Sequence, residues 1–550
     1  MFGKVRSKYM LTFLLGCALT SGMIGCSSNA VSPASPNDSA KTDNGQDAVP
    51  KQGGTIRIGI PDEPDSLDAH KAGMSVSDEV LALLGGALVY QDPQSADVQP
   101  YLAQSYSISP DGKTWTFKIR PGVAFHDGTP LTASAFKQTY ERAVAKETAS
   151  KIAGGLLTAV KTISAPDEET LIFELNQPSA PLLLSLTDPG FMQPLSPEAI
   201  QKAGDRSSRN PVGVGPWKFE SWSPGESIKL IRNDSFHWPE PIAENQGPVR
   251  PESLELKIIK DRQTRLAALE SGSIDIAKGV SAKDAKRFRE NDKFYVLEQT
   301  SPAIGLFIEM NLRNDIFQDR AVRQALNMAV NKEAIIKAVL QGEGVAAHGP
   351  VPPTLFGFDT TIEQYAYRYN LEEAKKLLEG AGWIANEAGI REKNGKTLSF
   401  TLLSTERWSK DVQLIQQMLR EIGVELKINK MDYAALLEKA AQGDFDMTAM
   451  SYTHVDPDVV FYFAHSSQIG SFNHSRIRDQ ELDILLEKGQ TTVDNVERKK
   501  IYVDVQKRMV EQGYWIPVYI EKEFFVINKR VKNVKLLNNS LYYQDSWVND

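Results

Sequence analysis

Three histidines, His454, His465 and His474, fall close together in a chain that has only seven. Imidazoles gathered this way could bind nickel, copper or zinc. Their spacing matches neither a zinc finger nor a helix-face pair, so the sequence offers only a loose cluster for a metal. Motifs of hydrolytic and phosphate chemistry are missing: there is no Gly-x-Ser-x-Gly, no His-Glu-x-x-His and no phosphate loop. Gly342-Glu343-Gly344-Val345-Ala346-Ala347 has the glycine spacing of a dinucleotide fingerprint, but it follows a helical pattern rather than a strand. His126 lies in Phe125-His126-Asp127-Gly128-Thr129-Pro130, where Asp-Gly and Pro build a turn, and the motif reads as structural. Gly213-Val214-Gly215-Pro216 could cradle an anion or make a tight connection between domains. No spacing of Ser, His and Asp nominates a catalytic triad, and no cofactor is called for.

These residues need elements to carry them. Alternating polarity predicts strands at 55–60, 114–120, 171–175, 253–259, 399–403, 425–428 and 445–450. Helical spacing predicts helices at 262–271, 320–340, 371–380, 411–422 and 495–512, and Thr132 is the expected N-cap of another, carrying Phe136, Tyr140 and Val144. Helices and strands mix throughout without a fixed-period repeat, so the class is α/β.

Length and composition narrow the function. At roughly 100–200 residues per domain, 550 residues make several domains. Hydrophobic residues at 41% and charged residues at 24% are ordinary for a globular protein. A net charge of −8 argues against nucleic acid as a partner, since phosphates need a basic footprint. The only cysteines are Cys17 and Cys26, which leaves the body without disulfides or thiolate metal cages. Lys4, Arg6 and Lys8 precede a short apolar run from Tyr9 to Leu19, the form of an export signal, expected to span residues 1–25. Met23-Ile24-Gly25-Cys26 resembles a bacterial lipobox, which implies cleavage after Gly25 and a lipid on Cys26, including an acyl chain such as palmitate. Residues 27–50 hold no aromatic residue, Leu or Ile, and with Cys26 they read as a lipidated, flexible tether, 26–50. The body is then expected at the extracytoplasmic face of the cell membrane.

Several segments read together carry a wider resemblance. They are Pro100-Tyr101-Leu102-Ala103, Asp111-Gly112-Lys113-Thr114-Trp115-Thr116-Phe117, Phe125-His126-Asp127-Gly128-Thr129-Pro130-Leu131-Thr132, Gly213-Val214-Gly215-Pro216-Trp217, Ala268-Leu269-Glu270-Ser271-Gly272 and Asp319-Arg320-Ala321-Val322-Arg323-Gln324-Ala325-Leu326. In this order, over nearly all of 51–540, the chain resembles the family-5 solute-binding proteins of ABC importers, the oligopeptide, dipeptide and nickel-binding group. The resemblance implies a bilobal periplasmic-binding-protein type II-like fold with an extra domain inserted in lobe I. Lobe I is expected at 51–90, 208–300 and 519–550, the inserted domain at 91–207 and lobe II at 301–518. The interlobe crossings are expected at 307–311 and 516–520. Also implied are a monomer, a short peptide or similar small solute as ligand, and ABC permease subunits as partners.

The resemblance also nominates ligand residues. In peptide-binding relatives an aspartate four residues before a proline grips the ligand's α-ammonium; here that position is Thr453, before Pro457. Asp456 or Glu63 are the acids that could replace it. Tyr452, Thr453, His454 and Asp456 lie in a loop expected to line the cleft, and Glu63, Pro64 and Asp65 should reach it from lobe I. The relatives carry an arginine for the ligand carboxylate where this chain has Arg407, which could instead pair with Glu406 or Asp411. Trp408 could stack on a ligand or cover the lobe. The alternatives are nickel or a metal chelate in the same fold, a secreted hydrolase, or a surface sensor without transport.

Overall fold

The computed structural model describes residues 49–93, 97–453, 456–537 and 540–549. The leader, Cys26, the tether up to residue 48 and His454 lie outside them. In the strand Thr55–Ile60, alternation buries Ile56, Ile58 and Ile60. This strand pairs in parallel with Ser253–Ile258 on one side and Ile276–Ala277 on the other. The antiparallel strands Ser227–Arg232 and Trp217–Ser223 extend the sheet outward. The core of this first lobe packs the three isoleucines against Val80, Leu81, Trp217 and Leu254.

In the second lobe Ser399–Ser404 pairs in parallel with Glu425–Lys430 and with Met447–Met450. Met447–Met450 runs antiparallel to Leu306–Met310, and that strand runs antiparallel to the start of Trp515–Asn528. Trp515–Asn528 is 14 residues long and belongs to both lobes. Its start pairs with Leu306–Met310, and its end pairs with Phe294–Thr300 and Ile276–Ala277. The fold is thus bilobal α/β, with one mixed sheet threaded through both lobes.

A separate antiparallel sheet orders Ala103–Ile108, Thr114–Ile119, Thr170–Leu175 and Val160–Ser164. The helix Ala133–Val144 covers it, capped by Thr132, whose hydroxyl accepts from the Ala135 N–H at 3.3 Å. Phe136 and Tyr140 are buried, with Tyr140 edge-on to Phe173 at 5.7 Å, whereas Val144 faces solvent. Several joints tie this domain to the first lobe. Arg142 grips the buried Asp68 with two bonds of 2.6 and 2.9 Å. Asp78 and Asp188 share a buried carboxyl–carboxyl contact. His126 accepts from the Gly213 N–H and donates Nε2–H to the Gly215 carbonyl at 3.0 Å, which fixes its tautomer. Gly213 packs so closely on the end of the helix Ser75–Leu84 that a Cβ would lie 2.1 Å from the Leu84 carbonyl oxygen.

One predicted helix differs. The run 320–340 is two helices, Arg320–Ala329 and Lys332–Val339. Val330 turns extended, and Asn331 caps the second helix by accepting from the Ala334 N–H at 2.9 Å.

Candidate functional site

Strand direction locates the site. Ile276 faces Ile527 and Ala277 faces Val526, so Ile276–Ala277 and its parallel neighbour Thr55–Ile60 run toward the middle of Trp515–Asn528. Met447 faces Met310 and Met450 faces Phe307, so Met447–Met450 and its parallel neighbour Ser399–Ser404 run toward the same middle from the other lobe. Both lobes therefore aim the carboxyl ends of their parallel strands at the crossing, where α/β folds bind ligands. The crossing itself is narrow: Gly305 has φ +85°, and a Cβ there would lie 2.1 Å from the Tyr519 carbonyl oxygen. The lobes exchange sheets at 300–306 and 519–522; the expected crossing 307–311 is instead a strand of the second lobe, and the expected 516–520 only overlaps the second crossing. Four charges bind the crossing together: Lys522 pairs with Glu298 at 3.0 Å and Glu343 at 3.2 Å, and Arg289 pairs with both acids.

The second lobe brings two of its loops to the crossing. Arg407 is exposed, lies 4.4 Å from the Trp408 ring and pairs with Glu521 at 3.2 Å rather than with Glu406 or Asp411. Trp408 is buried against Tyr519 and covers the lobe. Asp411 is taken by the Tyr519 hydroxyl at 2.7 Å. Thr453 is exposed and bridges to Ala303. Tyr452 stacks on Phe463 at 3.8 Å and lies tilted against Phe307 at 5.9 Å. Its carbonyl accepts from the Ile304 N–H. Burial and the nearby Glu309 carboxylate push its phenol far above the usual range, so it stays a neutral hydroxyl.

Asp456 is placed differently. It is fully buried and takes both terminal nitrogens of Arg498, at 2.6 and 2.8 Å, from the helix Asn495–Gln512. This is a structural ion pair inside the second lobe. Its neighbour Asp458 is pushed up to about 7 by burial and by the Asp456 charge.

The first-lobe candidates are also engaged. Glu63 accepts from the Trp222 indole N–H and the Gly225 N–H, both at 3.0 Å, and so pins the adjacent hairpin. Pro64 is buried. Asp65 pairs with Lys151 of the inserted domain at 2.7 Å. Burial works to raise its carboxyl, but Lys151, Ser77 and Gly73 outweigh it and hold it at about 2. Glu63 and Asp65 thus stand at the first lobe's rim as anchors of neighbouring structure.

Two residues at the site escape the sequence reading. Glu521 is the partner of Arg407 and comes from 114 residues away. Glu309 is wholly buried in the middle of the apolar strand Leu306–Met310, with its Oε2 on His474 Nδ1 at 3.2 Å. The signal for the second was local: one acid inside Phe-Ile-Glu-Met. His465 is held by Ser467 at 2.7 Å and stacks on Phe461. Among the described residues no three His, Cys, Asp or Glu side chains gather into a metal-binding group.

Two lobes that turn their strand ends toward each other across a paired crossing, with aromatic rings and exposed polar groups there, have the architecture of a solute-binding protein. Over residues 97–472 the sequence matches the family of bacterial extracellular solute-binding proteins, family 5. The chain belongs to that family. It is similar to the oligopeptide-binding protein AppA of Bacillus subtilis, 27% identical over 93% of this chain and 94% of that one. The structure of that protein in complex with a nonapeptide superposes with a TM-score of 0.71 at 26% identity, covering 91% of this chain and 100% of the other. DppA from Helicobacter pylori in complex with the peptide STSA gives 0.71 at 25%, covering 91% and 99%. NikZ from Campylobacter jejuni in complex with Ni(L-His) gives 0.70 at 25%, covering 89% and 97%. The family is extracytoplasmic, and no helix among the described residues is long and apolar enough to cross a membrane.

Proposed function

We propose that this protein is a lipid-anchored receptor that captures a short peptide between its lobes and delivers it to the membrane subunits of an ABC importer. The observation that carries the reading is the convergence of both lobes' strand ends on the crossing, to which Arg407 is tied through Glu521 and the Tyr452–Thr453 loop through Ala303 and Ile304. The nonapeptide and STSA held by the similar AppA and DppA support a peptide. In this reading the lobes close by hinge motion about 300–306 and 519–522. Arg407 leaves Glu521 to take a ligand carboxylate, and Tyr452 and Thr453 line the pocket. Pro64, Trp408 and Asp456 support the walls, while Glu63 and Asp65 hold the first lobe's rim. Lobe I comprises 51–90, 208–300 and 519–550, the inserted domain 91–207 and lobe II 301–518. The leader 1–25 is removed, Cys26 carries the lipid, and 27–50 tethers a monomer to the extracytoplasmic face of the membrane.

Native mass spectrometry of the gently purified protein tests the ligand. Bound masses that sequence as peptides support the reading; a nickel or chelate mass moves it to the metal branch, which the Ni(L-His) complex of the similar NikZ favours. Cys26→Ala should release the protein from the membrane, and detergent-phase partition of that variant would sink the anchor.

A further inference from the structure

We propose that Glu309 receives a cationic group of the captured solute, a primary ammonium or a guanidinium, in the wall of the second lobe. This deepens the peptide reading and rests on it. Glu309 has no exposed surface, and among the described residues its one ion-pair partner is His474. His474 Nδ1 holds Oε2, while Oε1 is buried and has no hydrogen-bond partner. A buried carboxylate oxygen without a donor is costly, and each one in a native structure calls for an explanation. The surroundings suit a cation. Phe307 shares the strand face of Glu309, two residues away, and stacks on Trp515 at 4.5 Å. Tyr452 reaches His474 Nδ1 with its hydroxyl at 3.4 Å and stacks on Phe463. Ring faces attract ammonium and guanidinium groups.

The approach is also marked. Tyr433 begins the helix Tyr433–Gln442 and is half exposed. Its phenol is raised by burial and by Glu309, and lowered by Arg407, so it lies within the field of both. A solute whose carboxylate sits on Arg407 thus has the buried acid near the same tyrosine. One end meets a guanidinium and the other a carboxylate, with aromatic rings between. Thr453 supplies no charge, and Asp456 is committed to Arg498. The titratable groups packed around Glu309 are His474, Tyr452 and Tyr433. Burial raises the Glu309 carboxyl against the lowering pull of His474, and because a cation is held by its ionised form, acid opposes binding.

The test uses three synthetic pools of short peptides on the full-length protein. One has free N-termini and no Lys, Arg or His; the second is the same pool N-acetylated; the third is N-acetylated but contains lysine. Wild type should hold at least one cationic pool ~10- to 100-fold more tightly than the neutral one, as charged hydrogen bonds do. Glu309→Gln should erase that ratio and flatten the loss of affinity on acidification. Equal binding of all pools by wild type, or a ratio that survives Glu309→Gln, overturns the assignment while leaving the peptide reading standing. Retention of no pool overturns both. Thermal unfolding of the empty protein guards against a folding artefact. Glu309→Gln should unfold no earlier than wild type, because it removes the buried charge yet keeps an oxygen for His474; a clear fall would make Glu309 a structural residue and overturn the proposal.

Discussion

Asp456 and Arg498 allow a direct separation of structure from binding. Both side chains are 1% exposed, and they share two bonds of 2.6 and 2.8 Å. Arg498 Nε also donates to the Gly489 carbonyl at 2.8 Å. Arg498→Met keeps most of the volume but strands a buried carboxylate, which costs ~3–5 kcal/mol. Losing the Gly489 bond adds about 1 kcal/mol. For a lobe of this size each kcal/mol moves the midpoint by ~2–4 °C, so the second lobe should unfold roughly 8–24 °C earlier. Differential scanning calorimetry follows each lobe's transition. The double variant Arg498→Met, Asp456→Asn removes the stranded charge and should recover much of the loss. Asp456→Asn by itself should lower stability yet leave peptide affinity nearly unchanged in the surviving folded protein. If Arg498→Met costs under about 1 kcal/mol, far below the usual price of a broken buried pair, or if Asp456→Asn abolishes capture at full stability, the structural assignment of this pair is wrong.

Three further outcomes follow from the geometry. Burial and the adjacent Asp188 hold the Asp78 carboxyl well above its ordinary value. Its contribution is complete below that ordinary value and lost as pH rises through the folded one. Asp78→Asn should therefore raise the unfolding temperature in alkaline buffer and not in acid, measured as a pH series. His126 is held down to about 4, chiefly by burial, so its neutral ring favours the folded joint above its ordinary value and that support is lost as pH falls toward 4. Its ring NMR signals should stay constant from neutral pH down to about 5, below the ordinary range of a free imidazole, and a titration near 6.5 would contradict the bonds to Gly213 and Gly215. Arg407→Ala removes an exposed pair worth ~0–1 kcal/mol, so stability should barely move. Calorimetric affinity should fall only for peptides with a free terminal carboxylate, and an equal fall for amidated peptides would exclude Arg407 as the carboxylate clamp.

Local structure was largely legible in the sequence. The strand Thr55–Ile60 and the cap at Thr132 rest on alternation and on one hydroxyl, both set within a few residues. The long strand was only half legible. Glu521-Lys522-Glu523 interrupts its apolar pattern because those residues sit at the interlobe crossing, where Lys522 meets Glu298 and Glu343. The break at Val330 hid in an apolar run, and Asn331 was its one local mark. Asp456 and Asp65 were recognisable as acids in loops; their partners, Arg498 and Lys151, were not.

By itself the sequence determined the class, the element order and the family, because periodicity, caps and ordered motifs are properties of neighbouring residues. It also determined which acids and aromatic rings were available. Only the tertiary structure decided which of them are spent. It gave Asp456 to Arg498, Glu63 to Trp222 and Arg407 to Glu521, and it left one oxygen of Glu309 without a donor. Those assignments depend on burial and on contacts across many tens of residues, where desolvation makes each pairing decisive and no local pattern records it.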